Sequence, residues 1–271
     1  MLVVACIKQV PDTTQVEVDP VTGTLKREGV PFIMNPFDIH ALEESLRLKD
    51  RYGLRVVVIS MGPPNTEITL RKALALGVDE TVLLSDRAFG GADTLATSLV
   101  LAEAIGRLAQ KEEVAAVICG RQTIDGDTAQ VGPGIATRLG YSQLTLVDKI
   151  ENLDLSTRKV RVRRKLRTHH EIVEASLPVM ISVRREINRL RYPTVSMRLI
   201  AEDIEVTLWN NEVMKLNEET IGLKGSATQV RKIFSPERAK GEILGDGIEN
   251  PAQAAQLLIG KLIEKGIIYL E

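Results

Sequence analysis

The sequence lacks any apolar run approaching the roughly 18 residues that cross a bilayer as a helix. It also lacks net charge: 35 Lys and Arg stand against 36 Asp and Glu, a balance of −1. Nothing global therefore draws the chain to nucleic acid or to an anionic membrane. Aromatic residues are scarce at 3%, and none interleaves the basic run from Arg158 to Lys165, so the stacking platform of a single-strand binder is missing. That run alternates, with Val160 and Val162 toward a sheet and Arg161 and Arg163 outward. It reads as a solvated strand face or one turned to an acidic partner. The only cysteines, Cys6 and Cys119, each sit in an apolar run. Two buried thiols in a reducing compartment are expected, not a disulfide. No Cys/His cluster has metal-ligand spacing, and the adjacent His169 and His170 would point to opposite faces of a strand. Val3-Val4-Ala5-Cys6 has the outline of a lipoprotein cleavage box, but no basic segment precedes it and Lys8 ends the apolar stretch. A cytoplasmic location is expected. Two nucleotide fingerprints are missing as well. The first strand–helix turn carries Lys8-Gln9-Val10-Pro11-Asp12 in place of G-x-G-x-x-G, and there is no G-x-x-x-x-G-K-[ST] loop. These absences argue against an ordinary nicotinamide dehydrogenase and a P-loop NTPase.

What is present is an ordinary globular balance, 44% apolar and 26% charged over 271 residues, enough for one large α/β domain with an appended arm. Buried strands are expected over 2–7, 54–60, 81–84 and 114–119. Between them lie three helices: one opened by Asn35 as N-cap with Pro36 in its first turn and ended by Gly53, one over 66–76 closed by Gly77, and one over 93–110 capped by Asp93 or Thr94. Residues 16–27 read as a surface hairpin. This alternation implies a doubly wound, mostly parallel sheet with helices on both faces. Ligands of such sheets sit at the carboxyl ends of the strands, here the turns after Cys6, Ser60, Leu84 and Cys119. From about residue 142 the β-like runs 144–153, 157–166, 171–174 and 178–183 suggest an antiparallel extension. Residues 186–250 read as an extended arm, and Asn250-Pro251 opens a last helix closed by Gly266. The expected division is a nucleotide-binding domain over 1–185 and a C-terminal arm and helix over 186–271.

The richest segment runs Gly120-Arg121-Gln122-Thr123-Ile124-Asp125-Gly126-Asp127-Thr128-Ala129-Gln130-Val131-Gly132-Pro133. A strand delivers the chain to Gly120, where a missing side chain lets backbone approach a ligand. A helix starting near Thr128 would offer free N–H groups to a phosphate, with Thr128 and Gln130 adding neutral donors. Asp125 and Asp127 would repel a phosphate and are expected to accept from ribose hydroxyls or backbone N–H groups. A capped loop with no ligand is the plainer alternative.

This segment resembles the signature of the electron-transfer flavoprotein beta subunit, roughly G-x-Q-x-x-D-x-D-x-x-x-x-G-P. Three others agree in order and spacing: Ala5 to Asp12, Met34-Asn35-Pro36-Phe37-Asp38, and Ser60-Met61-Gly62-Pro63. The resemblance implies a doubly wound fold and nucleotide contacts at Cys6, at Asn35, Phe37 and Asp38, at Met61, and along Gly120 to Val131. It also implies an alpha-subunit partner holding a redox-active FAD, with AMP in the beta subunit of ordinary members. A further segment, Ser85-Asp86-Arg87-Ala88-Phe89-Gly90-Gly91-Ala92-Asp93-Thr94-Leu95-Ala96-Thr97-Ser98, resembles the loop of electron-bifurcating members, as does Ile221-Gly222-Leu223-Lys224-Gly225-Ser226. That branch implies a second FAD in place of AMP, held in part by Gly90, Gly91, Asp93, Thr94 and Thr97. NADH would be the donor, with one electron going to the alpha flavin and one to ferredoxin or flavodoxin. Arg87 is placed to stabilise an anionic flavin; an exposed arginine with no such role is the alternative.

Residues 191–199 occupy the place of the family's partner-recognition loop, with Val195 as the apolar anchor. The lysine-rich continuation is replaced by Ala201-Glu202-Asp203, so a quinone-reductase partner stands beside an acyl-CoA dehydrogenase, and a core-packed loop stands beside both. No acid, base or nucleophile is expected, since the cofactor would carry the chemistry. The remote alternative, a free-standing ATP-binding regulator of the universal-stress type, shares the sheet.

Overall fold

A strand with apolar residues at every position must be covered on both faces, which is the signature of a parallel sheet flanked by helices. Residues 2–6 and 114–120 have that character, and in the computed structural model, which describes residues 1–12, 31–229 and 241–269, they lie side by side at the centre of the sheet. In chain order the first half contains β1 (Leu2–Cys6), β2 (Gln9–Pro11), β3 (Phe32–Met34), α1 (Asp38–Tyr52), β4 (Arg55–Met61), α2 (Glu67–Leu76), β5 (Glu80–Leu84), α3 (Thr94–Lys111), β6 (Val114–Gly120) and α4 (Val131–Leu139). The second half contains β7 (Ser142–Asp154), β8 (Lys159–Lys165), β9 (His170–Ser176), β10 (Val179–Val183), α5 (Val195–Asp203), β11 (Thr207–Trp209), α6 (Asn211–Met214) and α7 (Pro251–Glu264). The hairpin expected over 16–27 lies outside the described residues.

The described strands form a nine-stranded sheet in the order β11-β5-β4-β1-β6-β10-β7-β8-β9, with β2 and β3 as a separate antiparallel pair. The expected doubly wound, mostly parallel α/β sheet is therefore present. Alternate residues of each central strand feed separate cores. Val3, Ala5, Val56, Val58 and Ile118 pack with Leu42 and Leu46 of α1 and Leu70 of α2. Leu2, Val4, Val57, Ile59 and Val117 pack with Val100 and Ile105 of α3 and Ile135 of α4. Strand order reverses at β1, which has β4 on one side and β6 on the other. In open α/β sheets the crevice at such a switch point is where ligands bind.

Three expectations need correction. β10 does not belong to an antiparallel extension: it inserts parallel between β6 and β7, with Ile181 level with both Ile118 and Leu144. Among the described strands of this sheet, only the β7–β8 and β8–β9 pairings are antiparallel. A short apolar run bounded by turns carries no mark of its neighbours' direction. Residues 186–229 are not an extended arm. α5 packs on α2, and β11 adds a parallel edge to β5 with Trp209 level with Leu84. Arg71 Nη1 donates to the carbonyls of Ala201, Glu202 and Ile204 at 3.1, 2.9 and 3.2 Å, closing the end of α5. Asn35 is not the N-cap of α1, whose cap position is Phe37 with no side-chain cap; its amide is used elsewhere, as described below.

The chain divides into two units, 1–231 and 232–271, a later boundary than the expected 185. The second holds α7, where Asn250 Oδ1 accepts from the Gln253 N–H and Gly266 follows the helix in the left-handed region at φ 64°. Leu257, Leu258 and Ile259 of α7 are exposed. Among the described residues no helix is long and apolar enough to cross a membrane.

Candidate functional site

The carboxyl ends of β1, β4, β5 and β6 border one continuous cleft of about 1370 Å³. Its floor is set by strand register. Cys6 pairs with Cys119 across β1 and β6, and both thiols are free and buried. Burial pushes both up, Cys6 well above the ordinary thiol value and Cys119 to about 12, and each is further raised by neighbouring negative charge. These are inert thiols, since the thiolate is the reactive form.

Directly above the floor, Asp38 joins the two central turns. Its carboxylate accepts from the Lys8 N–H at 2.8 Å and the Gly120 N–H at 3.0 Å. Burial pushes its pKa up to about 7, against the pull of these donors and of Asn35. Gly120 is required here by space: an added Cβ would strike the Asp38 carboxylate and come within 2.7 Å of the Phe37 backbone. Asn35, fully buried, donates from Nδ2 to the Gln122 carbonyl at 2.9 Å and accepts at Oδ1 from the Ile124 N–H at 3.3 Å. The first strand–helix turn thus holds the signature loop by hydrogen bonds that sequence spacing does not reveal.

The signature loop stays irregular to Gln130, and α4 begins at Val131, later than expected near Thr128. Asp127 and Ala129 both adopt left-handed backbone, φ 52° and 56°. Ala pays for that conformation, and such strain clusters at ligand-binding sites. Asp125 pairs with Lys8 Nζ at 2.6 Å; burial opposes its ionisation, yet Lys8 and Thr123 hold its carboxyl below the usual range. Asp127 accepts from Gln122 Nε2 at 2.6 Å.

The opposite wall follows β5. Asp86 accepts from the N–H groups of Ala88 and Asn211, at 2.9 and 2.8 Å, which lower its pKa. Asp93 caps α3: Oδ1 accepts from Leu95 N at 2.9 Å and Ala96 N at 3.1 Å, while Oδ2 accepts from Thr228 N and Oγ1 at 2.9 and 3.0 Å. Burial works against its ionisation, but these donors hold it below the ordinary value. Thr94 Oγ1 donates to Gln130 Oε1 at 2.8 Å, bridging the two walls.

Of the residues expected to contact a nucleotide, Cys6, Asp38, Met61, Gly90, Gly91, Asp93, Thr94, Thr97, Gly120, Arg121, Gln122, Thr123, Asp125, Gly126, Thr128, Gln130 and Val131 line this cleft. Asn35, Phe37 and Asp127 do not; the first and last brace the loop, and Phe37 carries the Arg185 guanidinium 4.4 Å from its ring centre. Lys8, Cys119 and Thr228 also line the cleft and were not expected as nucleotide contacts. Lys8 lies within the segment from Ala5 to Asp12 and Cys119 adjoins the signature at Gly120, while no local signal marks Thr228.

The cleft keeps donors free for an anion. Every aspartate in the cleft is occupied by protein donors. Arg87 makes no ion pair among the described residues, and Arg121 uses only Nε, toward Gln122. No side chain caps the first turn of α4, leaving N–H groups and the positive helix end directed at the cleft.

A family model described as the electron transfer flavoprotein domain matches residues 22–207. The chain belongs to the electron transfer flavoprotein family. Its relatives place it among the beta subunits. It is 49% identical over 269 residues to the electron transfer flavoprotein subunit beta of Clostridium acetobutylicum, covering 99% of this chain and 100% of that one. It is 44% identical over 270 residues to subunit CarD of the caffeyl-CoA reductase-Etf complex of Acetobacterium woodii, covering 99% and 100%. With protein FixA of Azotobacter vinelandii it shares 44% over 262 residues, covering 96% and 93%. For an electron transfer flavoprotein the site residues fit a nucleotide: a helix end without a side-chain cap, and arginines that form no ion pair among the described residues, suit phosphates, and the apolar floor beside Met61 suits a ring.

Proposed function

We propose that this chain is the beta subunit of an αβ electron transfer flavoprotein and that its cleft takes FAD, with NADH as donor, for electron bifurcation. The observation that carries this reading is the extent of the cleft. It runs without interruption from the signature loop to the Gly90-Gly91 turn, and its volume exceeds the roughly 300–1,000 Å³ of ordinary ligand sites. A mononucleotide such as AMP would leave one wall without a role. Bound flavin would supply the chemistry: uptake of an electron pair from NADH and its delivery as single electrons, one toward the alpha subunit and one toward ferredoxin or flavodoxin.

The chain's own residues bind and orient. The first turn of α4, with Thr128 and Gln130 beside it, offers donors to phosphate oxygens. Arg87 and Arg121 supply charge from opposite walls. The buried thiols and Met61 exclude water from the floor. The exposed apolar face of α7, with Leu257 and Leu258, is assigned to the alpha subunit. Val195, 76% exposed at the start of α5, is assigned to a dehydrogenase or quinone-reductase partner. A cytoplasmic complex accords with the free thiols.

The test is nucleotide content. The chain is co-expressed with its alpha partner, the complex is denatured, and FAD and AMP per heterodimer are quantified by chromatography. Two FAD and no AMP are expected. One FAD with one AMP would make this chain the holder of a structural nucleotide in a conventional carrier.

A further inference from the structure

The wall of the cleft that follows β5 is fastened by a segment more than a hundred residues away in sequence. Ser226 Oγ accepts the Asp93 N–H at 2.8 Å and donates to the Gly222 carbonyl at 2.7 Å. Thr228 donates twice, from N and Oγ1, to Asp93 Oδ2. Asp93 has its other oxygen committed to the first turn of α3. This one carboxylate therefore joins segment 222–228 to the start of a helix that borders the ligand space. Behind it the fit is tight. Gly222 has φ 56°, and an added Cβ would strike the Ala88 carbonyl, so the segment lies flush on the loop preceding Gly90. Thr228 itself lines the cleft.

The signature loop is braced separately, by Asn35 and Asp38, and among the described residues makes no hydrogen bond to 222–228. A ligand confined to the signature loop would not sense the Asp93 tie. A ligand reaching Gly90 and Thr97 would depend on it.

We propose that Thr228 and Ser226 are positioning residues that make the cleft selective for a dinucleotide over a mononucleotide, by fixing Asp93 and with it the first turn of α3. The proposal rests on the FAD reading above.

The test uses the co-expressed αβ complex with Thr228→Val, Thr228→Ser and Ser226→Ala. Each complex is stripped of nucleotide and titrated with FAD and, separately, with AMP. Thr228→Val keeps the backbone donor and removes the hydroxyl. It should raise the FAD dissociation constant of this chain's site about tenfold, the loss of one hydrogen bond to a charged group, while AMP binding stays at the wild-type value. Ser226→Ala should act in the same direction. Thr228→Ser should restore FAD binding. Unchanged FAD affinity in Thr228→Val overturns the proposal, as does failure of the serine to rescue. A parallel fall in AMP affinity, the sign of general unfolding of the site, overturns it too. Failure of the underlying reading is seen separately: wild-type complex purified with AMP in this cleft would remove the FAD assignment and the selectivity with it.

Discussion

The wall formed by the signature loop is tied to the first strand–helix turn through side chains withdrawn from water, Asn35 at 0% and Asp38 at 5% exposure. The wall formed by residues 86–97 is tied through Asp93 to hydroxyls on a segment whose Thr228 is exposed. Both use a few hydrogen bonds of similar length, so the number of contacts does not separate them. Burial does. A buried partner left unpaired incurs the full desolvation penalty, whereas an exposed one turns to water. The first wall is therefore a fixed part of the sheet edge, and the second can be loosened without loss of the fold. A nucleotide-binding protein gains from that division: the common part of the ligand meets the rigid wall, and the part that distinguishes one ligand from another meets the adjustable wall.

The comparison can be broken most forcefully at Asp38. Its folded pKa of about 7 lies above the ordinary 3.8. The native state thus holds its proton over a range in which the unfolded chain has released it. The stabilisation is complete below about pH 3.8, declines as pH rises, and is gone above about pH 7. At about 1.4 kcal/mol per pKa unit, the full change is on the order of 4 kcal/mol. Urea unfolding of the complex, with Asp38→Asn beside wild type, isolates it: the variant should gain on wild type by about that amount between pH 4 and pH 8. A constant difference across the range would mean that the native pKa of Asp38 is not raised above its unfolded value.

A smaller effect is expected at Asn35. Asn35→Ala leaves the Gln122 carbonyl and the Ile124 N–H without their partner and should cost about 2–3 kcal/mol. Hydrogen exchange gives the sharper reading. The Ile124 amide should exchange faster, while the Leu95 and Ala96 amides held by Asp93 keep their protection. Equal acceleration on both walls would show that they open as one unit.

How much of this was legible in the sequence follows the same division. The apolar strands near 2–7, 54–60, 81–84 and 114–119 and the helices between them could be read because apolar runs and helix caps are local signals, and the four turns do converge on one cleft; the β2–β3 pair was not expected. The direction of β10 could not, since Val179–Val183 would look the same between any two neighbours. Asn35 was misread for a related reason. Asn before Pro is a strong local helix-start pattern, but its amide partners are Gln122 and Ile124, which only the adjacency of β1 and β6 brings near. Asp125 and Asp127 were expected to accept from ribose hydroxyls or backbone N–H groups, and in the structure they take side-chain donors. Their actual partners, Lys8 and Gln122, were hidden because a loop's internal hydrogen bonds depend on backbone such as the left-handed Ala129 that no pattern announces. Thr228 had no signal at all, being one exposed hydroxyl in a Gly- and Ser-containing stretch.

The smallest effect belongs to a side-chain hydrogen bond between the walls near the mouth, Thr94 Oγ1 to Gln130 Oε1. It is exposed and joins two neutral groups, and either atom can turn to water when the other is removed. Thr94→Val should therefore shift the urea midpoint of the complex by the equivalent of less than about 1 kcal/mol. If the walls are independent, Thr94→Val combined with Asn35→Ala should give the sum of the two single effects to within about 0.5 kcal/mol. A cost for Thr94→Val as large as that of Asn35→Ala, or a strong departure from additivity, would mean that the mouth is held shut by cooperation across the cleft. The adjustable wall would then be as fixed as its opposite, and selection between ligands would have to come from direct contact with the ligand in place of positioning.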